Sequence, residues 1–202
     1  MVHYLFQQSF QKYANFLRYL PILNALIMSN HQTKTNFTLR NFRNGDQESL
    51  IESADNIKIL NNVKDTFPHP YTYADANWWI EFCKETDKPV NAFAVDIDGK
   101  VIWAVGITIG IDIQRVTAEI GYWLGEEYWE KGIAVEALKQ MTDYAFQNYP
   151  DLVRLWAAVF EYNKPSMRVL EKVGYEYDRV RKKGAIKNGV VIDEYVYVKF
   201  RE

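Results

Sequence analysis

The stretch Glu126–Leu138 reads EEYWEKGIAVEAL and sets three acidic residues, a lysine and a glycine ahead of an alanine-rich pattern. From about Gly132 to Asn148 the apolar stripe Ala134, Leu138, Met141 and Ala145 predicts a helix. A helix that begins here leaves its first N–H groups without intrahelical partners. Those groups and the helix dipole favour an anion by roughly 0.3–1 kcal/mol when the charge is exposed. Gly132 and Ala134 leave room for a phosphate, and Lys131 adds a mobile positive charge. A diphosphate is a natural guest. Glu126, Glu127 and Glu130 point the other way, since they would repel it or serve as ordinary first-turn acids of a plain helix start. Spacing alone leaves both readings open, because one glycine and one lysine make a weak motif.

The flanking sequence fixes the fold class. Upstream, Asn91–Asp96 and Val101–Ile111 read as strands around the hairpin signal Asp98-Gly99, and Thr117–Leu124 as a third. Downstream, Leu152–Phe160 is a strand whose near-continuous hydrophobicity predicts burial on both faces. Lys164–Val173 is a short helix closed by Gly174. Tyr175–Lys182 and Val190–Phe200 flank a second hairpin signal, Asn188-Gly189. Before these come a strand at Phe37–Phe42, a helix from Asp46 to near Leu60, and a helix opened by a capping box at Thr72–Asp75. That last helix runs through Trp78, Trp79, Phe82 and Cys83 and ends before Pro89. The order predicts an α/β (α+β) domain, a mixed sheet with helices on its faces and at least one parallel crossover.

The chain has 202 residues, 48% of them hydrophobic, enough for one domain with a sizeable core and an appended segment. A net charge of −2 argues against a broad grip on nucleic acid. The basic run Arg179–Lys183 reads as a solvated hairpin end. A lone cysteine, Cys83, excludes an internal disulfide framework and fits a reducing, cytoplasmic setting; it reads as an inert buried thiol. His3, His31 and His69 lack metal-ligand spacing, so no metal is expected. No apolar run reaches the roughly 20 residues that span a bilayer. Residues 1–36 read as a separate arm and linker. Phe6, Phe10, Tyr13, Leu17 and Leu20 form one helical face, suited to packing on the domain or on a second subunit as a homodimer contact. The polar linker Ser29–Asn36 precedes a catalytic unit expected at 37–202.

Four stretches, in order, carry a family resemblance. WEKGIAVEAL resembles the acyl-CoA loop of the GNAT N-acetyltransferase superfamily, Gln/Arg-x-x-Gly-x-Gly/Ala, with Gly132 and Ala134 matching and Trp129 in place of Gln or Arg. It is similar to the branch of ribosomal-protein N-terminal acetyltransferases (RimJ/RimL-type). That branch usually has glycine where this chain has Glu130, and a small hydroxyl residue at Val135. Asn163–Tyr175 resembles the family's Asn-x-x-Ser helix ending in Glu-Lys-x-Gly-aromatic. Ala118–Leu124 resembles the strand before the phosphate loop, and Phe67–Thr72 the loop between the early helices.

The resemblance implies a mostly antiparallel sheet splayed at its centre, with acetyl-CoA entering between Thr117–Leu124 and Leu152–Phe160. Main chain of Tyr122, Trp123 and Leu124 would pair with pantetheine. Amides of Lys131, Gly132, Ile133, Ala134 and Val135 would hold the diphosphate, and Asn163 the pantetheine amide region. The implied reaction is direct attack of a primary amine, from a small molecule or a protein N-terminus, on the thioester. Glu119 is the candidate base, directly or through water. Ser166, with Tyr122 as the alternative, is the candidate donor to the CoA sulfur. His69 and Tyr71 are candidates for the acceptor side. Each has a plainer reading: a strand glutamate in an ion pair, a first-turn serine, a packed tyrosine, a proline-fixed turn. A CoA-binding sensor or interaction module without turnover is the alternative from another class.

Overall fold

In the computed structural model the structure describes residues 36–85 and 91–202. The expected arm and its dimer contact lie in residues 1–35, outside the described residues. The chain enters through β1 (Thr38–Arg40), then α1 (Gln47–Ala54), α2 (Ile57–Leu60) and α3 (Tyr73–Glu85). Next come β2 (Ala92–Ile97), β3 (Lys100–Ile109), β4 (Thr117–Leu124) and α4 (Ile133–Asn148). It closes with β5 (Arg154–Phe160), α5 (Lys164–Val173), β6 (Glu176–Lys187) and β7 (Val190–Phe200).

The strands form one sheet in the order β1-β2-β3-β4-β5-β7-β6. Every neighbouring pair is antiparallel except β4–β5, which α4 joins as the expected parallel crossover. That parallel ladder is short: Thr117 pairs with Arg154, Ala118 with Leu155 and Glu119 with Trp156. Beyond it, Ile120–Leu124 stays on β3 while Ala157–Phe160 stays on β7. The sheet therefore parts after Glu119 and Trp156, as expected, and leaves two facing strand edges without a ladder partner among the described residues.

Side chains alternate across β4, so its two faces belong to different cores. Ala118, Ile120 and Leu124 pack with Ile133, Leu138 and Met141 of α4 and Met167 and Leu170 of α5. Glu119, Gly121 and Trp123 project to the opposite face. A smaller core there holds Leu50 of α1, Ile80 of α3 and Tyr71, with Phe67 and Trp123 packed on it.

Three local differences from the sequence reading have physical causes. The helix expected over Asp46–Leu60 is two helices, because the Asn56 side chain accepts from the Lys58 N–H at 2.8 Å and caps a fresh start. β5 alternates buried and half-buried residues rather than being buried on both faces, because its outward face is covered only in part, as where Arg181 lies over the Trp156 ring. β6 runs on to Lys187 through a register shift between Arg181 and Ala185, where Lys183 takes a φ of 51°. The capping box of α3 is present: Asp75 accepts from the Thr72 N–H at 2.8 Å, and Thr72 Oγ1 accepts from the Asp75 N–H at 3.3 Å.

Candidate active site

The loop into α4 has a left-handed backbone at two places, Glu130 with φ 61° and Gly132 with φ 76°. A Cβ built on Gly132 would meet nothing within 4 Å. Room is available, as the sequence suggested, but what demands glycine is the backbone conformation. The first α4 bond runs from the Glu136 N–H to the Gly132 carbonyl at 3.4 Å. The N–H groups of Ile133, Ala134 and Val135 consequently have no helical acceptor. Trp129 donates its indole N–H to the Leu124 carbonyl at 2.8 Å and ties the loop to the end of β4.

Of the three acids near this helix start, Glu126 is engaged elsewhere. Glu126 binds Lys58 and accepts from Asn56 Nδ2 at 2.9 Å, and these bonds, Lys58 first, hold its carboxyl below the ordinary range. Glu127 and Glu130 are both exposed. Lys131 rests its ammonium over the Tyr128 ring, 5.2 Å from the centroid.

On the α4–α5 side of the parted strands, three candidates come together. The Tyr122 hydroxyl and Ser166 Oγ are 2.9 Å apart. Asn163 caps α5, its Oδ1 accepting from the Ser166 N–H at 3.2 Å. That bond leaves the Asn163 amide donors for another partner. Burial pushes the Tyr122 phenol well above its ordinary value, so it stays a donor through the neutral range. Trp103, which the sequence did not single out, is fully buried edge-on to Tyr122 at 5.6 Å.

On the opposite face, Glu119 closes the parallel ladder, and its Oε2 accepts from Lys64 Nζ at 2.9 Å. Nothing would meet a Cβ on Gly121 within 4 Å, so the strand surface beside Glu119 is open. Trp123 and Phe67 meet edge to face with centroids 5.7 Å apart. His69 Nδ1 lies 3.0 Å from Asp55 Oδ1, which also accepts from the Tyr71 N–H at 2.8 Å. These two candidates are thus joined to each other through Asp55, and Tyr71 is buried in the smaller core.

The segment that carries Lys64 is fastened from the far end of the chain. Tyr162 Oη donates to the Asn61 carbonyl at 2.6 Å, and Asn188 Nδ2 to Asn61 Oδ1 at 2.9 Å. The buried Lys187 ammonium donates to Asp65 at 2.5 Å. Asn61, Lys64, Asp65 and Lys187 all escaped the sequence reading, because no local pattern links residues so far apart. Trp79 is half-buried against Phe42, whereas Trp78 is exposed and stacks on Phe82. Burial pushes the Cys83 thiol up to about 12, which makes it a poor nucleophile. The basic run is engaged locally: Arg179 pairs with Asp178 at 2.6 Å, and Arg181 covers the Trp156 ring at 4.9 Å.

A family model described as an acetyltransferase (GNAT) domain matches residues 36–176 of this chain, which is most of it. The chain belongs to the GNAT acetyltransferases. An uncharacterised N-acetyltransferase of Bacillus subtilis, YnaD, is 35% identical over 172 residues, covering 85% of the GNAT chain and 98% of the relative. An uncharacterised N-acetyltransferase of Bacillus licheniformis, p20, is 29% identical over 148 residues, 73% of the chain and 71% of the relative. Mycobacterium smegmatis RimJ, solved with CoA-disulfide, superposes with a TM-score of 0.70 at 23% identity over 81% of each chain, and so shares the fold. This GNAT protein is an N-acetyltransferase. Among the described residues, no helix is long and apolar enough to cross a membrane, and no group of three or more His, Cys, Asp or Glu could hold a metal.

Proposed function

We propose that this GNAT protein moves an acetyl group from acetyl-CoA to a primary amine, of a small molecule or a protein N-terminus, by direct attack within a ternary complex. The observation that carries this is the parting of β4 from β5 after Glu119 and Trp156, next to a helix start with uncommitted amides. The unpaired edge at Tyr122, Trp123 and Leu124 suits the amides of a pantetheine arm. The N–H groups from Lys131 to Val135 suit a diphosphate, and the free Asn163 amide donors suit a pantetheine carbonyl. When bound, acetyl-CoA supplies the activated acetyl group.

The two faces of β4 then divide the work. Glu119 attracts the acceptor ammonium and takes its proton, directly or through water, so that the neutral amine attacks. Tyr122, held by Ser166, donates to the departing thiolate. Its raised pKa keeps the phenol protonated at neutral pH, so it serves the thiolate as a hydrogen-bond donor. His69, in contact with Asp55, is assigned to the acceptor side in this reading.

Free-thiol release from acetyl-CoA with a panel of amines tests the reading, alongside calorimetry with CoA. The expected result is CoA binding, turnover with some amine, and a loss of about 10²-fold or more in kcat/KM for Glu119→Gln. Binding without turnover by any amine would favour the sensor module instead. No binding at millimolar ligand would remove the cofactor assignment.

A further inference from the structure

Glu119 does not face the opened sheet alone. Its ion pair with Lys64 joins a carboxylate side chain that is 22% exposed to a lysine side chain that is 72% exposed. The carboxylate is fixed on a strand hydrogen-bonded on both sides at that residue. The ammonium ends a flexible stem whose segment is pinned at Asn61 and Asp65. Lys64 can therefore swing while its main chain stays. Nearby cations are committed elsewhere, Lys58 to Glu126 and Lys187 to Asp65.

The inference rests on the reading of Glu119 as the group that receives the acceptor amine. Lys64 holds Oε2 of Glu119, so an acceptor ammonium that binds this carboxylate either displaces Lys64 or comes up directly beside it. A simple monocation would leave two ammonium groups competing for one carboxylate within a few ångströms, an arrangement that like-charge repulsion disfavours. An acceptor with an anionic group beside its amine removes the conflict: its ammonium pairs with Glu119, its anion pairs with the displaced Lys64, and the site stays neutral. Charge-assisted bonds are the strong ones, so this exchange replaces one ion pair by two. We propose that the acceptor is a zwitterion, an α-amino acid or close analogue with its carboxylate on the carbon that bears the amine, and that Lys64 selects it. The open surface at Gly121 leaves room for the acceptor backbone, and the Trp123–Phe67 pair offers an apolar wall to its side chain.

The test compares matched acceptors, α-amino acids such as leucine and phenylalanine against the amines left by their decarboxylation, and adds putrescine and short peptides with free N-termini. The wild-type chain is expected to favour each amino acid over its amine by about tenfold or more in kcat/KM. Lys64→Met is expected to bring that ratio to about unity, and Lys64→Glu to turn preference toward putrescine. Thermal melting of both variants controls for folding, which an exposed lysine should not disturb. The inference is overturned if the decarboxylated amines or peptide N-termini are preferred by the wild type, or if Lys64→Met leaves the ratio where it was. If no acceptor is turned over while CoA still raises Tm, the inference falls and the cofactor reading stands. If CoA has no effect on Tm either, both fall.

Discussion

The Tyr122 hydroxyl lies 2.9 Å from Ser166 Oγ, joining a residue of β4 to the first turn of α5 on the helix-covered side of the opened sheet. Either oxygen can donate in this pair, but only one phenol proton is held by burial well above its ordinary range. The phenol also donates to the Ser166 carbonyl at 3.3 Å, and the proposed reaction takes Tyr122 as the donor and Ser166 as the group that aims it. Tyr122→Phe keeps the ring against Trp103 and removes the proton, so kcat should fall about 10²-fold with little change in KM for acetyl-CoA. Ser166→Ala should cost about tenfold, and the double variant should resemble Tyr122→Phe, because the two act as one unit. Steady-state kinetics of the three variants checks this, and full additivity would refute it.

The helix start makes a paired prediction. Gly132→Ala has open space for the methyl but a φ of 76°, so any loss is conformational. It should destabilise the chain by about 1 kcal/mol and raise the KM for acetyl-CoA. Glu130→Gly acts in the opposite sense. It relieves a φ of 61° and removes a negative charge beside the uncommitted amides. Stability should rise by about 0.5–1 kcal/mol, and acetyl-CoA should bind several-fold more tightly at low salt, less so at high salt. Thermal melts and calorimetry at two ionic strengths measure both effects.

Buried phenols predict an alkaline limit for the fold. Burial, aided by Glu171, pushes Tyr197 up to about 12, and burial pushes Tyr149 up to about 12 as well. Tyr71, Tyr122 and Tyr175 are raised by burial too. A phenol that ionises near 10 when unfolded and higher when folded keeps its full contribution below 10. That contribution is lost as pH climbs from there through the folded value. Tm should thus hold steady from neutral pH to about 9 and fall steeply above about 10. Tyr197→Phe should make the fall shallower. An alkaline midpoint unmoved by pH would contradict the assignment.

Local pattern made β4 and α5 legible to the residue, because strand alternation, the Asn163 cap and Gly174 each act within a few positions. Gly174 and Tyr175 illustrate a motif whose meaning is structural. Gly174 has φ 85°, its N–H and that of Tyr175 bond back to Glu171 and Leu170, and the Tyr175 hydroxyl meets Thr142 at 2.9 Å. The start of α4 at Gly132 was legible for the same reason. Lys64 was not, since it meets Glu119 only after the sheet places β4 beside the segment following α2, a separation of 55 residues. Long-range ion pairs leave no trace in periodicity.

The pair Lys187–Asp65 shows what such a contact contributes. The Lys187 side chain is 3% exposed, whereas Asp65 is 69% exposed, so water reaches one end of a bond whose other end it cannot reach. Removing the carboxylate strands a buried ammonium, and removing the ammonium strands nothing. Asp65→Ala should therefore destabilise the chain by about 1–3 kcal/mol, below the loss for a fully buried pair because solvent already screens Asp65. Lys187→Met, which fills the same space without charge, should be close to neutral. The double variant should recover most of what Asp65→Ala loses, and denaturant melts of all three read this directly. Because Asp65 also pins the segment carrying Lys64, Asp65→Ala should raise KM for the acceptor while leaving KM for acetyl-CoA in place. Lys187→Met should raise it as well, since it breaks the same tether without stranding a charge. If acceptor KM follows stability instead, rising in Asp65→Ala alone, then the tether is structural and the hairpin takes no part in acceptor binding.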